Sequence, residues 1–362
     1  INDNSSIEAG GGIAIDDESD LIIQNSSLTG NISTGIGGGG ISSRYSNLTV
    51  INTDFENNQA ESGPGGGIFL DGLSEESQIV NIQNCTFNGN VSASDGAGIN
   101  VASQGMLIDS CKFVSNVSNS NGGAIAGTGI TSLVITNSSL ANNQSADTGG
   151  GLYLNSGGMI MLSNVLIYGN SSIDGAGLSF YEFGADSIQI NQTTIVQNNA
   201  SNLGGGIYGV NSSIVMLNSI IWNNYPSQQG YFSSGGLWSG YSSIQNYDGV
   251  GIGMIDADPL FCNSDSSDFT LYDNSPCVGT GQDGANMGAY GIGCLSLLNN
   301  EEKLLIISTD GDGFGIAKEY DLQSNTYTDR ATVGPGISNV WGASAFDMES
   351  DKFILIEPNG DN

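Results

Sequence analysis

The hydrophobic positions of the chain recur in a fixed frame: apolar, any residue, apolar, four residues, apolar, two residues, asparagine. Leu21, Ile23, Leu28 and Asn31 fill it first, followed by Leu48, Val50, Phe55 and Asn58. Val80, Ile82, Phe87 and Asn90 come next, then Met106, Ile108, Phe113 and Asn116. Leu133, Ile135, Leu140 and Asn143 continue it, as do Ile160, Leu162, Ile167 and Asn170. Ile188, Ile190, Ile195 and Asn198, then Ile214, Met216, Ile221 and Asn224, complete eight repeats with no insertion inside the frame. A glycine cluster leading to an aliphatic residue follows each Asn but the last, from Gly38 to Ile41 through Gly204 to Ile207. The period is 26 to 32 residues, mostly 27, and the alternation inside it is two, the mark of short strands. Amphipathic helices would need sustained spacings of three and four. One coil of short strands cannot bury its own inner face, so successive coils must stack about 4.8 Å apart.

The expectation is therefore an all-β chain: a right-handed parallel β-helix of about 27-residue coils over residues 1–240, with three strands and three turns per coil. Residues 241–294 would form its C-terminal end or cap. From 295 the period stops, and LLIIS, GIAKEYDL and FILIEP read as antiparallel strands, with turns at Gly311 to Gly313 and Gly334 to Gly336. The glycines suit tight corners that need φ > 0 or close approach of neighbouring coils. A second asparagine column precedes the Phe/Leu/Ile slot by three residues: Asn25, Asn52, Asn84, Asn137, Asn164 and Asn218. Asn tolerates left-handed turns, and its amide can pair with its equivalent one coil away. Both columns are expected to be ladders that fix the register. Cys85 and Cys111 fall at one equivalent position in successive coils and would either stack as thiols or form a bridge. Ile1 and Asn4 already match the apolar-to-Asn step, so the chain is expected to start inside a coil. That leaves two partners for its open edge: a longer parent chain, or a second copy stacked end to end.

Charge narrows the functional classes. Six Lys and Arg stand against 37 Asp and Glu, for a formal net charge of −31. Such a polyanion repels nucleic acid and anionic membranes, and no apolar run is long enough to span a bilayer. Histidine is absent, which removes Ser/His and Cys/His nucleophiles and leaves no His for a zinc site. The glycine runs lack the Lys of a phosphate-binding loop and are followed by no helix. Polysaccharide lyases need a cationic base, yet the coils carry only Arg44 and Lys112. A carboxylate-only glycoside hydrolase passes this test, because two acids suffice. Its candidates are Asp95, Asp147 and Asp174, just before glycine corners, with Asp54 and Asp109. The competing reading makes them solvated turn residues. Ca²⁺ between stacked carboxylates would instead give a calcium-dependent carbohydrate-binding module. The run Asp16, Asp17, Glu18 and Asp20 reads as a solvated loop, and Asp310-Gly-Asp312-Gly as a tight turn resembling part of a calcium loop.

GGAI at 122–125, with Phe55, Phe87 and Phe113 paired to Asn58, Asn90 and Asn116, resembles the chlamydial polymorphic outer-membrane protein repeat. That family's proteins are surface-displayed β-helix adhesins, and the resemblance covers roughly residues 1–240. In 241–294, IDADPLF, DFTL, NSPC and NMGAYG resemble the C-terminal end of secreted bacterial β-helix proteins that carry a sorting or anchor module. The resemblance implies a secreted, extracellular or cell-surface location. In such an oxidising compartment one pair among Cys262, Cys277 and Cys294 would close a loop, leaving one thiol. The last segment resembles the opening of a β-propeller-like module. Thirteen N-x-S/T sequons occur, none after Asn211. Those at Asn4, Asn25, Asn31, Asn84, Asn90, Asn116, Asn137, Asn143 and Asn170 match the apolar-to-Asn step or lie in the ladder columns, where an inward amide is no acceptor. Asn47, Asn191, Asn199 and Asn211 are the better glycosylation candidates. The sequence thus points to a non-enzymatic structural β-helix, an adhesin, spacer or filament subunit. No catalytic residue and no cofactor is assigned, and glycans or further copies of the chain are the expected partners.

Overall fold

The structure, a computed structural model, describes residues 1–16, 19–72, 79–184, 187–226, 229–247 and 251–296, together with five strands of the C-terminal part. The loop before Val80, the acids Asp17 and Glu18, the Asp310-Gly-Asp312-Gly turn and the Gly334 to Gly336 turn lie outside the described residues. Contacts divide the chain into two units, Ile1–Cys294 and Leu295–Asn362.

The first unit is a parallel β-solenoid. Its inward columns are those of the apolar frame, in register from coil to coil: Ile68 pairs with Ile99, and Ile99 with Ile125. Leu48, Val50, Ile68, Ile82, Ile99, Ile135, Leu152 and Ile207 are fully buried. Phe55, Phe87 and Phe113 stand directly above one another, with ring centroids 4.6 and 4.7 Å apart and planes within 3°. Aromatic pairs left to themselves prefer offset or edge-on geometry. Here the backbone spacing of parallel strands, about 4.8 Å, sets the separation and imposes face-to-face stacking.

Most coils have four strands rather than three, as in Val91–Ser92, Ile99–Ala102, Gly105–Asp109 and Lys112–Val114. Two of the four share one 16-stranded sheet, the long face; the others build an eight-stranded short face and a nine-stranded side face. In two coils the long-face pair merges into single strands, Ile125–Thr136 and Leu152–Ser163. The extra corner is a bend within the long face at a column of positive φ: Tyr45, Ser103, Gly129, Ser156, Glu182 and Asn211, between 48° and 61°. Only one of these is glycine and one asparagine, so residue type gave little sign of the bend.

The two asparagine columns do different work. Asn31, Asn58, Asn90, Asn116, Asn143, Asn170 and Asn198 are fully buried and form a continuous inward ladder. In each rung the Nδ2 donates to the Oδ1 of the next coil and to a main-chain carbonyl of the preceding coil. Asn116, for example, donates to Asn143 Oδ1 and Phe87 O, both at 2.9 Å. Its own Oδ1 accepts from Asn90 Nδ2 at 2.9 Å and Asn90 N at 3.0 Å. Asn4 joins the first rung through Asn31 Oδ1 at 3.0 Å, and Gln229 extends the ladder by accepting from Asn224 at 2.8 Å and donating to Gln245 Oε1 at 3.3 Å. The Asn25 column sits instead on the outside of a left-handed corner, with φ of 49° to 57° at Asn25, Asn52, Asn84, Asn137, Asn164 and Asn218. Its amides pair only in places, Asn52 to Asn25 at 3.1 Å and Asn164 to Asn137 at 2.8 Å. Ser110, with φ of 55°, and Gln192, with φ of 45°, hold the same corner in the two coils where the column lacks asparagine.

A third ladder runs beside it. Cys85 and Cys111 are buried free thiols, not a bridge. Cys111 N donates to Ser138 Oγ at 2.9 Å, and Thr193 N to Ser219 Oγ at 3.1 Å, so thiols and hydroxyls substitute for one another along one column. Contact with Cys85 and burial push the Cys111 thiol up, so it stays protonated.

Residues 251–294 do not add a regular coil. They fold back over the outside of the side face. There the outward slots change from Asp54, Glu56, Thr86 and Lys112 in early coils to Leu166, Val196, Ile220 and Trp222 in late ones. Phe269, Leu271, Met287 and Ala289 pack on this apolar patch, and Ala289 N donates to Thr194 Oγ1 at 2.9 Å. A disulfide joins Cys262 to Cys294, while Cys277 remains a buried thiol pushed up to about 11 by its burial. The second unit contains five antiparallel strands, in the order Thr326–Val333, Gly315–Asp321, Lys303–Thr309, Ala343–Asp347, Lys352–Ile356. That is two more than the sequence suggested.

Candidate functional site

The candidate acids are distributed along the rod, and Asp95, Asp109 and Asp174 are hydrogen-bonded between coils. Asp109 Oδ1 accepts from Thr136 at 2.6 Å and Asn137 at 2.8 Å, and these bonds hold its carboxyl below the usual carboxylate range. A general acid needs the opposite shift. Asp95 Oδ1 accepts from Asn121 N at 2.9 Å, and Asp174 Oδ1 from Asn202 Nδ2 and Leu203 N, both at 2.9 Å. Asp54 and Asp147 are exposed. Asp16 pairs with Arg44 of the next coil, and Asp20 accepts from Asn47 at 2.8 Å. Among the described residues no three carboxylates or thiols converge as a metal-binding group.

The glycosylation candidates fall on outer surfaces. Asn47, Asn199 and Asn211 are exposed, with Asn211 donating to Glu182 at 2.8 Å; Asn191 is half-buried, its Oδ1 accepting from Asn218 at 3.2 Å. The expectation that every ladder Asn points inward needs correcting. Asn31, Asn90, Asn116, Asn143 and Asn170 are sealed, but Asn25, Asn84 and Asn137 face solvent because their column lies outside the corner.

The profile of the right-handed beta helix region matches residues 1–106 and again 67–250. The chain belongs to the right-handed β-helix family. No curated protein matches it. On this β-helix the side chains that stand out chemically are ones the inward frame does not contain. Tyr153, Tyr181, Tyr208 and Tyr231 form an aromatic ribbon on the long face, with successive centroids 5.5, 5.8 and 5.5 Å apart. Tyr153 and Tyr208 flank Ser179 in register, and Tyr181 leans across from two residues along the strand. Burial, then the neighbouring phenol and Asp174, push Tyr208 up to about 12, so it remains a hydrogen-bond donor. Two clefts open where the folded-back segment meets the β-helix. One, of about 280 Å³, is walled by Trp222, Phe261, Tyr272 and Asp258. The other lies beside the long face. The outward slots of each strand, compared coil by coil, carried the signal for all of these: they turn aromatic and apolar after residue 150, where a uniform rod would keep them polar.

Proposed function

We propose that this β-helix is a non-catalytic, extracellular or cell-surface rod that acts as a rigid spacer or adhesin. The observation that carries the reading is the engagement of its candidate acids: Asp95, Asp109 and Asp174 each accept hydrogen bonds from the adjoining coil. Bound in that way they serve as clamps, and the Asp109 carboxyl is held ionised, unsuited to donating a proton to a leaving group. The Cys262–Cys294 disulfide supports an oxidising location. The GGAI and FxxN resemblance to surface-displayed adhesins supports the adhesive role. A formal charge of −31 favours glycans or basic protein surfaces as partners over nucleic acid. The test is incubation of the full chain with a panel of neutral and acidic polysaccharides, assayed for new reducing ends and unsaturated products. No release is expected. Release abolished by Asp95→Asn or Asp174→Asn would overturn the reading in favour of a glycoside hydrolase.

A further inference from the structure

We propose that the cleft between the last coils and the folded-back segment binds a neutral saccharide, with Trp238 as its stacking platform. The cleft encloses about 270 Å³, close to the lower end of the range for ligand pockets. Met161 and Leu217 give it an apolar floor, and Gln189, Asn191, Asn218 and Gln282 bring side-chain amides to its walls. None of its lining residues is charged, on a chain that carries 37 Asp and Glu. An amide side chain offers a donor and an acceptor together, which is what a sugar hydroxyl requires. An ion would find no counter-charge.

The amide wall is held in place before any ligand arrives. Asn218 Oδ1 accepts from Gln282 N at 2.7 Å, its Nδ2 donates to Asn191 Oδ1 at 3.2 Å, and its main-chain O accepts from Gly288 N at 2.8 Å. Such fixation lowers the ordering cost of binding. Trp238 stands on the neighbouring strand, paired with the cleft residue Val215, and is 53% exposed. Its ring leans toward the cleft floor over Gly240. A Cβ placed on Gly240 would meet Trp238 Cη2 at 3.7 Å and Leu217 Cδ2 at 3.2 Å. The indole thus borders the cleft at Gly240, beside the floor residue Leu217 and the Ile252 carbonyl, which that Cβ would meet at 3.5 Å. A pyranose ring has an apolar C–H face and a hydroxyl rim, and this site pairs an exposed aromatic surface with an amide wall.

The proposal rests on the non-catalytic reading for its role, but its test separates the two. The full chain is titrated by calorimetry with cellotriose, mannotriose and N,N′,N″-triacetylchitotriose, and with trigalacturonate as the charged comparison. At least one neutral trisaccharide is expected to bind saturably, and trigalacturonate at least tenfold more weakly. Trp238→Ala and Met161→Glu, both at outward positions, should each weaken the neutral ligand tenfold or more while the circular dichroism spectrum is unchanged. Absence of binding by all three neutral ligands would overturn the site, and so would binding unchanged in both variants. Mass spectrometry of the titrated sugar reads the other question: bound sugar returned shortened would leave the site standing and overturn the non-catalytic reading.

Discussion

Replacing Asn116 by alanine removes one rung from the middle of the buried ladder. Four hydrogen bonds go with it: two donated, to Phe87 O and Asn143 Oδ1, and two accepted, from Asn90 N and Asn90 Nδ2. Asn143 Oδ1 keeps a partner, because Asn116 N still donates to it at 3.0 Å. Asn90 does not: its main-chain N–H and one amide proton are left without acceptors at a site with 0% exposure. An orphaned buried polar group costs about 1–3 kcal/mol, so two donors together cost about 4 kcal/mol. That is a large share of the roughly 5–15 kcal/mol by which proteins of this kind are stable. Asn52→Gly in the outer column is the matched control. It loses a single exposed bond to Asn25, and glycine accepts the φ of 50° there, so its effect should stay within about 1 kcal/mol. Urea denaturation followed by far-UV circular dichroism compares the two variants. Amide hydrogen exchange at Asn90 locates the damage, which should stay near the altered coil because solenoid stability is a nearest-neighbour sum. Equal midpoints for Asn116→Ala and Asn52→Gly would refute the assignment of the inner column as the structural one.

Three shorter predictions accompany it. Ile135→Asp buries a carboxylate in a fully enclosed column and should cost several kcal/mol, whereas Thr128→Asp on the exposed side of the same strand should be nearly silent; thermal unfolding of both variants checks the inward frame. Because its native carboxyl is held below the usual range, Asp109 stabilises the fold above that range, and the contribution disappears as pH falls through the lowered native value; Asp109→Asn should therefore flatten the acid side of the stability profile measured between neutral and strongly acid pH. Cys85, Cys111 and Cys277 are buried thiols, so iodoacetamide at neutral pH should label none of them in the native chain and all three after unfolding without reductant, as counted by mass spectrometry.

What could be read from the sequence was whatever repeats with an unambiguous physical cause. The columns through Phe55, Ile82 and Ile99 had to be apolar in every coil, so the period, the inner face and the parallel register followed from them. The fourth corner was hidden because Tyr45, Ser103, Ser156 and Glu182 adopt left-handed backbone without the residue types that announce it. Both asparagine columns looked alike because a left-handed corner and a buried amide select the same side chain for different reasons. Thr136, outward beside Ile135, donates to Asp109, a bond that the alternation of the strand gives no sign of. Residues 241–294 read as the end or cap of the β-helix, but their docking on the side face went unread because the segment breaks the period, although its landing patch was visible in the outward Leu166, Val196 and Ile220. The tyrosine ribbon escaped notice in the same way, since attention to inward slots passes over the surface.

Gln229 carries the amide ladder on from only five residues beyond Asn224, accepting from it at 2.8 Å and donating in turn to Gln245 Oε1 at 3.3 Å. Its longer side chain fills the slot that an asparagine holds in the earlier circuits, and the strands Gly230–Phe232, Gly235–Gly240 and Ser243–Ile244 wind one more circuit beyond it. A duplicated circuit spliced between two internal rungs would meet asparagine neighbours above and below, and the Gln229–Gln245 pair would simply ride one step further out. Cutting between Asn224 and Gln229 would instead leave the Asn224 Nδ2 only its main-chain partners, Ile195 O and Trp222 O. Growth and shrinkage by whole circuits in the interior is therefore a mode of variation this architecture permits.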